Sequence, residues 1–107
     1  MTRAILVNDR YDYVAYDHPK ETNEHNFDTV PHATIGVLLK ADSKMFDGAT
    51  LYLWRFPCYE CAKAIVYAGI HKLVYRMDDE MDPTRTEAQL LLEHSDVEII
   101  QKPNISL

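Results

Sequence analysis

Residues 48–75 read GATLYLWRFPCYECAKAIVYAGIHKLVY. An almost continuously apolar run, 49–56, is followed by Pro57, a helical pattern over 58–70 and a second apolar run over 71–77. The first run reads as a strand at the centre of a sheet, covered on both faces. In the helix, Cys58, Cys61, Ala62, Ile65 and Gly69 share one stripe, and Gly69 suits a C-cap. Strand, helix and strand of these lengths make a right-handed crossover.

The flanks extend the same alternation. AILVND (4–9) and YDYVAY (11–16) read as two short strands joined tightly at Asn8 and Asp9. A polar loop, DHPKETNEHNFDT (17–29), leads to VPHATIGVLLKADS (30–43), a helix with Ile35, Leu38 and Leu39 on one side. Gly36 weakens that helix by roughly 1 kcal/mol relative to alanine. After the central unit, DPTRTEAQLLLEHS (82–95) reads as a helix with Pro83 in its first turn and Thr84 and Glu87 placed for a capping box. DVEIIQK (96–102) closes the chain as a strand. The order β-β-α-β-α-β-α-β predicts an α/β fold in one domain over 1–107: a three-layer sandwich, with a mixed five-stranded sheet and helices on both faces.

The chain has 107 residues, 47% of them apolar, enough for one core. Its net charge is −6, and Lys40, Lys44, Arg55, Lys63, Lys72, Arg76 and Arg85 are scattered singly. A groove that follows a phosphate backbone needs clustered cations, so no nucleic-acid polymer is expected as a partner. One phosphate on a small ligand needs only one or two. No window approaches a membrane span, so no membrane is expected either. MTRAILVNDRYDY turns polar after five residues, unlike a signal peptide. Two cysteines do not make a secreted disulfide scaffold. The expected location is cytoplasmic.

Cys58 and Cys61 lie at i and i+3 in the first turn of a helix, where free N–H groups and the positive dipole end favour thiolates. Two thiolates on one face are half of a tetrahedral zinc site. A redox pair of the thioredoxin kind has the same outline, and a buried inert pair is a third reading. His32 is the candidate third ligand: it too follows a proline and opens a helix, and both helices flank the central strand. The other histidines, His18, His25, His71 and His94, read as solvated or capping. Three protein ligands with one position open is the pattern of a catalytic zinc.

HAT (32–34) followed by PCYEC (57–61) resembles the zinc deaminase signature, H-x-E then P-C-x-x-C. Residues 48–75 are similar to the deoxycytidylate (dCMP) deaminases, with the words FPC, ECAK and AGI, and TEAQLLLEHSDVEI (86–99) is similar to their next helix and strand. The resemblance is best over 30–102. It implies a cytidine deaminase-like fold, Zn2+ held by His32, Cys58 and Cys61, and hydrolysis at C4 of a cytosine nucleotide such as dCMP. It also implies contacts to that nucleotide from Asp17, Ala33 and Phe56.

In such enzymes the glutamate two residues after the histidine shuttles protons between water, ring and leaving amine. Here that position is Thr34, whose hydroxyl is not a base at pH 7. Gly36 stands where the family commonly has Asn, and Asp17 where a Gly-Tyr-Asn-Gly word has Asn. No counterpart is expected for the family's helix before the first strand. Glu60 is the nearest substitute acid in sequence, though an acid in a first helical turn also serves the dipole; Glu21 and Glu24 lie in the loop entering His32. Two functions follow: a zinc-bound deaminase relative retained for nucleotide or partner binding, or an active deaminase using another acid. Tyr11, Tyr13 and Tyr16, on a strand that a second copy could cover, and the family's habit suggest a homo-oligomer.

Overall fold

A computed structural model of the chain describes residues 2–18, 32–79 and 81–105. The strands are β1 (Thr2–Asn8), β2 (Asp12–His18), β3 (Thr50–Arg55), β4 (Lys72–Met77) and β5 (Glu98–Gln101). The helices are α1 (Ala33–Lys40), α2 (Tyr59–Ala68) and α3 (Arg85–His94). The sheet order is β2-β1-β3-β4-β5. β1 pairs antiparallel with β2 and β3; β3–β4 and β4–β5 are parallel. The mixed five-stranded sheet and the element order expected from sequence are present, with β3 at the centre.

The helix layer is one-sided among the described residues. α1 packs on β1, β2 and α2, and α2 packs on α3. The crossovers β3–α2–β4 and β4–α3–β5 step across the sheet in the same direction, and right-handed connections then place both helices on one face. The second helix layer of the expected sandwich is not among the described residues. β3 shows the consequence: Leu51 and Leu53 are buried toward the helices, while Thr50, Tyr52 and Trp54 on the opposite face are half-buried. Cover on both faces was expected for this strand and is complete on one.

The core is a single cluster. Ala4 and Leu6 of β1, Leu51 and Leu53 of β3, and Leu73 and Tyr75 of β4 meet Val37 of α1, Ala62 and Ile65 of α2, and Ala88 and Leu92 of α3. Those contributions recur at i and i+2 on strands and at i and i+3 or i+4 on helices. Asn8, buried at the end of β1, donates through Nδ2 to the carbonyls of Met45 and Asp47, both at 2.9 Å, and ties the hairpin to the segment entering β3.

Helix boundaries follow local chemistry. Gly69 ends α2 in the left-handed region (φ 78°) as its position suggested. α3 begins later than expected: Thr84 is its N-cap and Pro83 lies outside it. The capping box does not form, because the Thr84 hydroxyl is engaged elsewhere. Tyr16 is not a free surface aromatic: it packs against the core, whereas Tyr11 and Tyr13 are exposed. Alternation explains the split, since Tyr16 faces the same side as Ala4, its partner in register.

Candidate metal centre

Two helix starts meet at the same end of the sheet. His32 is the N-cap of α1 and Cys58 the N-cap of α2, and neither side chain caps its own helix. Both are turned instead toward one point. His32 Nδ1 lies 3.3 Å from Cys61 Sγ and 3.5 Å from Cys58 Sγ. The three ligand atoms all fall within 4.8 Å of one another. Tetrahedral zinc with ordinary Zn–N and Zn–S lengths needs N···S separations of about 3.5 Å. The two separations from His32 therefore match those such an ion needs. The group could hold a metal.

The two thiols share a hydrogen bond. A hydrogen bond from Cys61 is the main influence on Cys58, lowering its pKa to about 5, with His32 adding to the effect against the cost of burial. Cys61, buried and donating to Cys58, is pushed well up. One thiolate thus forms readily on the exposed side of the site, and the inner sulfur keeps its proton until something stronger than a neighbouring thiolate displaces it. A cation is such an agent.

Thr34 sits in the first turn of α1, 5% exposed. Its hydroxyl hydrogen-bonds to Cys61, favouring the thiolate there. Ala33, beside it, is buried in the core cluster. Glu60 is elsewhere: its side chain is 69% exposed and pairs with Lys63 at 3.1 Å. Among the described residues no carboxylate joins the His32–Cys58–Cys61 group. Phe56 is 3% exposed. The Tyr75 ring meets it edge-on with centroids 4.9 Å apart, and the Arg85 guanidinium stands 3.5 Å from its ring centroid. Asp17 lies on β2 opposite Arg3; its side chain, Glu21 and Glu24 fall outside the described residues. His71 and His94 are exposed.

The segment after β4 was not expected at this site. Arg85 makes two bonds to Asp78, Nε–Oδ1 at 2.6 Å and Nη2–Oδ2 at 3.1 Å, and a third to Gln89 Oε1 at 2.7 Å. The paired charges lower the Asp78 pKa and raise that of Arg85. Next to it, Thr84 Oγ1 accepts from the backbone N–H of Tyr59 at 3.0 Å. The one signal in the sequence is negative: Pro57 and Cys58 open a helix with no Ser, Thr, Asp or Asn to cap it.

No helix among the described residues is long and apolar enough to cross a membrane. The model of the MafB19-like deaminase family matches residues 4–105. The chain is 35% identical to a deoxycytidylate deaminase of Mus musculus over 77 residues, 68% of this chain and 43% of that one. It is 30% identical to a deoxycytidylate deaminase of Enterobacteria phage T2, over 94% of this chain and 53% of the relative. It thus spans about half the length of these relatives. Among solved structures, the dCMP deaminase of cyanophage S-TIM5, in complex with dCMP and dUMP, superposes with a TM-score of 0.71 at 23% identity, over 94% of this chain and 80% of that one. That likeness is one of fold.

Proposed function

The chain belongs to the MafB19-like deaminase family, and from that premise we propose that it holds zinc between His32, Cys58 and Cys61 and binds a cytosine nucleotide of the dCMP kind beside it. We propose further that it deaminates that nucleotide weakly or not at all. The observation that carries this reading is Thr34, which the resemblance puts at the glutamate position: it is buried, with its hydroxyl engaged by Cys61. The names of the relatives, and the nucleotides bound by the cyanophage protein, support dCMP as the ligand type.

Zinc, when bound, supplies Lewis acidity that makes water a nucleophile near neutral pH. The chain's own residues then have limited means to move protons. Thr34 can donate one hydrogen bond and accept others. It is not a base at neutral pH, so it cannot take a proton from water or return one to a ring nitrogen. General acid–base catalysis contributes typically 10²–10⁴-fold, and its loss is the expected deficit. Glu60, committed to Lys63 and solvent, is a poor replacement. Ala33 and Phe56, both buried, would shape the wall behind the ligand rather than grip it, and Asp17 would stand at its edge. We place the protein in the cytoplasm as a homo-oligomer, an assembly that the exposed Tyr11 and Tyr13 support.

The test is dUMP formation from dCMP by the zinc-loaded protein beside its Thr34→Glu variant. A silent wild type and an active variant are expected. Chelator-sensitive turnover by the wild type would overturn the reading in favour of an active deaminase with another acid, and Glu21, Glu24 and Glu60 would then be replaced in turn.

A further inference from the structure

A helix N-terminus leaves its first N–H groups without intrahelical partners, and the N-cap side chain ordinarily takes one of them. At α2 this device is not in use. Cys58 holds the N-cap position, with extended backbone (φ −71°, ψ 174°) and its carbonyl accepting from Ala62 N at 2.8 Å. Its side chain makes no capping bond; it points to His32 Nδ1 at 3.5 Å. A sulfur is a weak acceptor, and an N-cap side chain reaches the N–H groups of the second and third helical residues, not that of Tyr59 at the first.

The missing partner comes from 25 residues along the chain. Thr84 Oγ1 accepts from Tyr59 N at 3.0 Å. Its own hydroxyl hydrogen goes to Asp82 Oδ1 at 2.8 Å, and its backbone N–H goes to the same oxygen, also at 2.8 Å. The hydroxyl is therefore oriented: the proton is held by a carboxylate, which leaves lone-pair density for Tyr59. Its neighbour Arg85 lies over Phe56. The corner Phe56–Pro57–Cys58–Tyr59 is thus held at both ends by one dipeptide, Thr84–Arg85. Thr84 is the N-cap of α3 by position and makes no side-chain cap there either; its side chain serves α2 instead.

We propose that Thr84, oriented by Asp82, is a positioning residue of the metal centre: it supplies the cap that Cys58 cannot, and so fixes the aim of the Cys58 sulfur at His32 and Cys61. This rests on the reading that the triad holds zinc. Partners that orient metal ligands without touching the metal typically change affinity 10–100-fold when removed, and a link through backbone belongs at the lower end.

The experiment measures zinc affinity by competition with a chromophoric chelator for the wild type, Thr84→Val, Thr84→Ser and Gly69→Ala. The last loosens the opposite end of the same helix and controls for general destabilisation. Thr84→Val is expected to bind zinc about tenfold more weakly. Thr84→Ser should restore wild-type affinity, and Gly69→Ala should keep it. Wild-type affinity in Thr84→Val, or an equal loss in Gly69→Ala, would overturn the proposal. A second reading is independent of metal: the rate at which iodoacetamide modifies Cys58 in the metal-free protein. It should change at least threefold in Thr84→Val alone, and an unchanged rate overturns the proposal. A wild type that takes up no zinc refutes the metal reading, and the alkylation rate then decides the role of Thr84.

Discussion

The ring of Tyr16 lies so close across Gly36 that a Cβ on residue 36 would stand 2.4 Å from Cε2 and 2.5 Å from Cδ2 of that ring. The two residues form a complementary pair: an aromatic side chain from β2 occupies the room that a side chain on α1 would need. The glycine at position 36 thus has a local steric partner, one turn along the helix from His32.

Gly36→Ala should therefore destabilise the fold by roughly 1–3 kcal/mol through overpacking, despite the better helix propensity of alanine. In a Tyr16→Val background the same change should be neutral or stabilising. Denaturant melts of the two singles and the double give the coupling directly; additive effects would mean that the ring moves aside freely.

Replacing any one of His32, Cys58 or Cys61 should abolish zinc retention. The wild type, loaded and gel-filtered, is expected to carry about one zinc per chain, and His32→Ala, Cys58→Ser and Cys61→Ser close to none. Atomic emission on the filtered proteins settles this. Full occupancy in Cys61→Ser would place the metal elsewhere.

Metal-free protein should show one unusually reactive thiol. Cys58, with its pKa lowered to about 5 by its bond from Cys61, should be alkylated with a midpoint near that pH, far below the ordinary thiol value of about 8.5. Cys61, shifted the other way, should resist over the same range. Peptide mapping after iodoacetamide treatment at a series of pH values separates the two, and equal labelling would mean that Cys61 does not hydrogen-bond to Cys58.

Asp78→Asn should cost about 1 kcal/mol, since the pair with Arg85 is only partly buried. The folded-state pKa of Asp78 is lowered by Arg85. Its contribution is thus fully present above the unfolded carboxylate value of about 4 and is lost as the pH falls from there through the folded value. The stability gap between wild type and variant should be level from pH 5 to 8 and close in stronger acid. A gap that persists at pH 2 would assign the effect to packing of Arg85 on Phe56.

Much of this was legible in the sequence. The β3–α2–β4 unit announced itself through the apolar run, the cysteine spacing and Gly69, because each is a local signal. The grouping of His32 with Cys58 and Cys61 followed from two helix starts that each place a metal-binding residue type after a proline. What escaped were contacts between residues distant in sequence. Thr84 looked like a capping-box residue because Glu87 lies three positions on; nothing local shows that Tyr59 competes for the same oxygen. The resemblance names Phe56 as a nucleotide contact, but nothing local shows that its ring meets Arg85 and Tyr75. The one-sided helix layer follows from connection handedness, a property of the order of strands rather than of any stretch of residues.

His32 belongs to a helix packed on the antiparallel hairpin, and the two cysteines to a helix that joins the parallel strands. An ion shared by the three would staple one half of the sheet's connectivity to the other and close a ring of 26 residues between His32 and Cys58. By the chain-entropy argument used for covalent cross-links, a closure of that length removes about 3.5 kcal/mol of freedom from the unfolded chain. Such a staple has value apart from any reaction it promotes. With such an ion in place, mutations that erase proton transfer would leave the staple untouched, whereas replacing His32, Cys58 or Cys61 would unfasten it. A lineage that stopped deaminating would still be selected to keep the histidine and both cysteines.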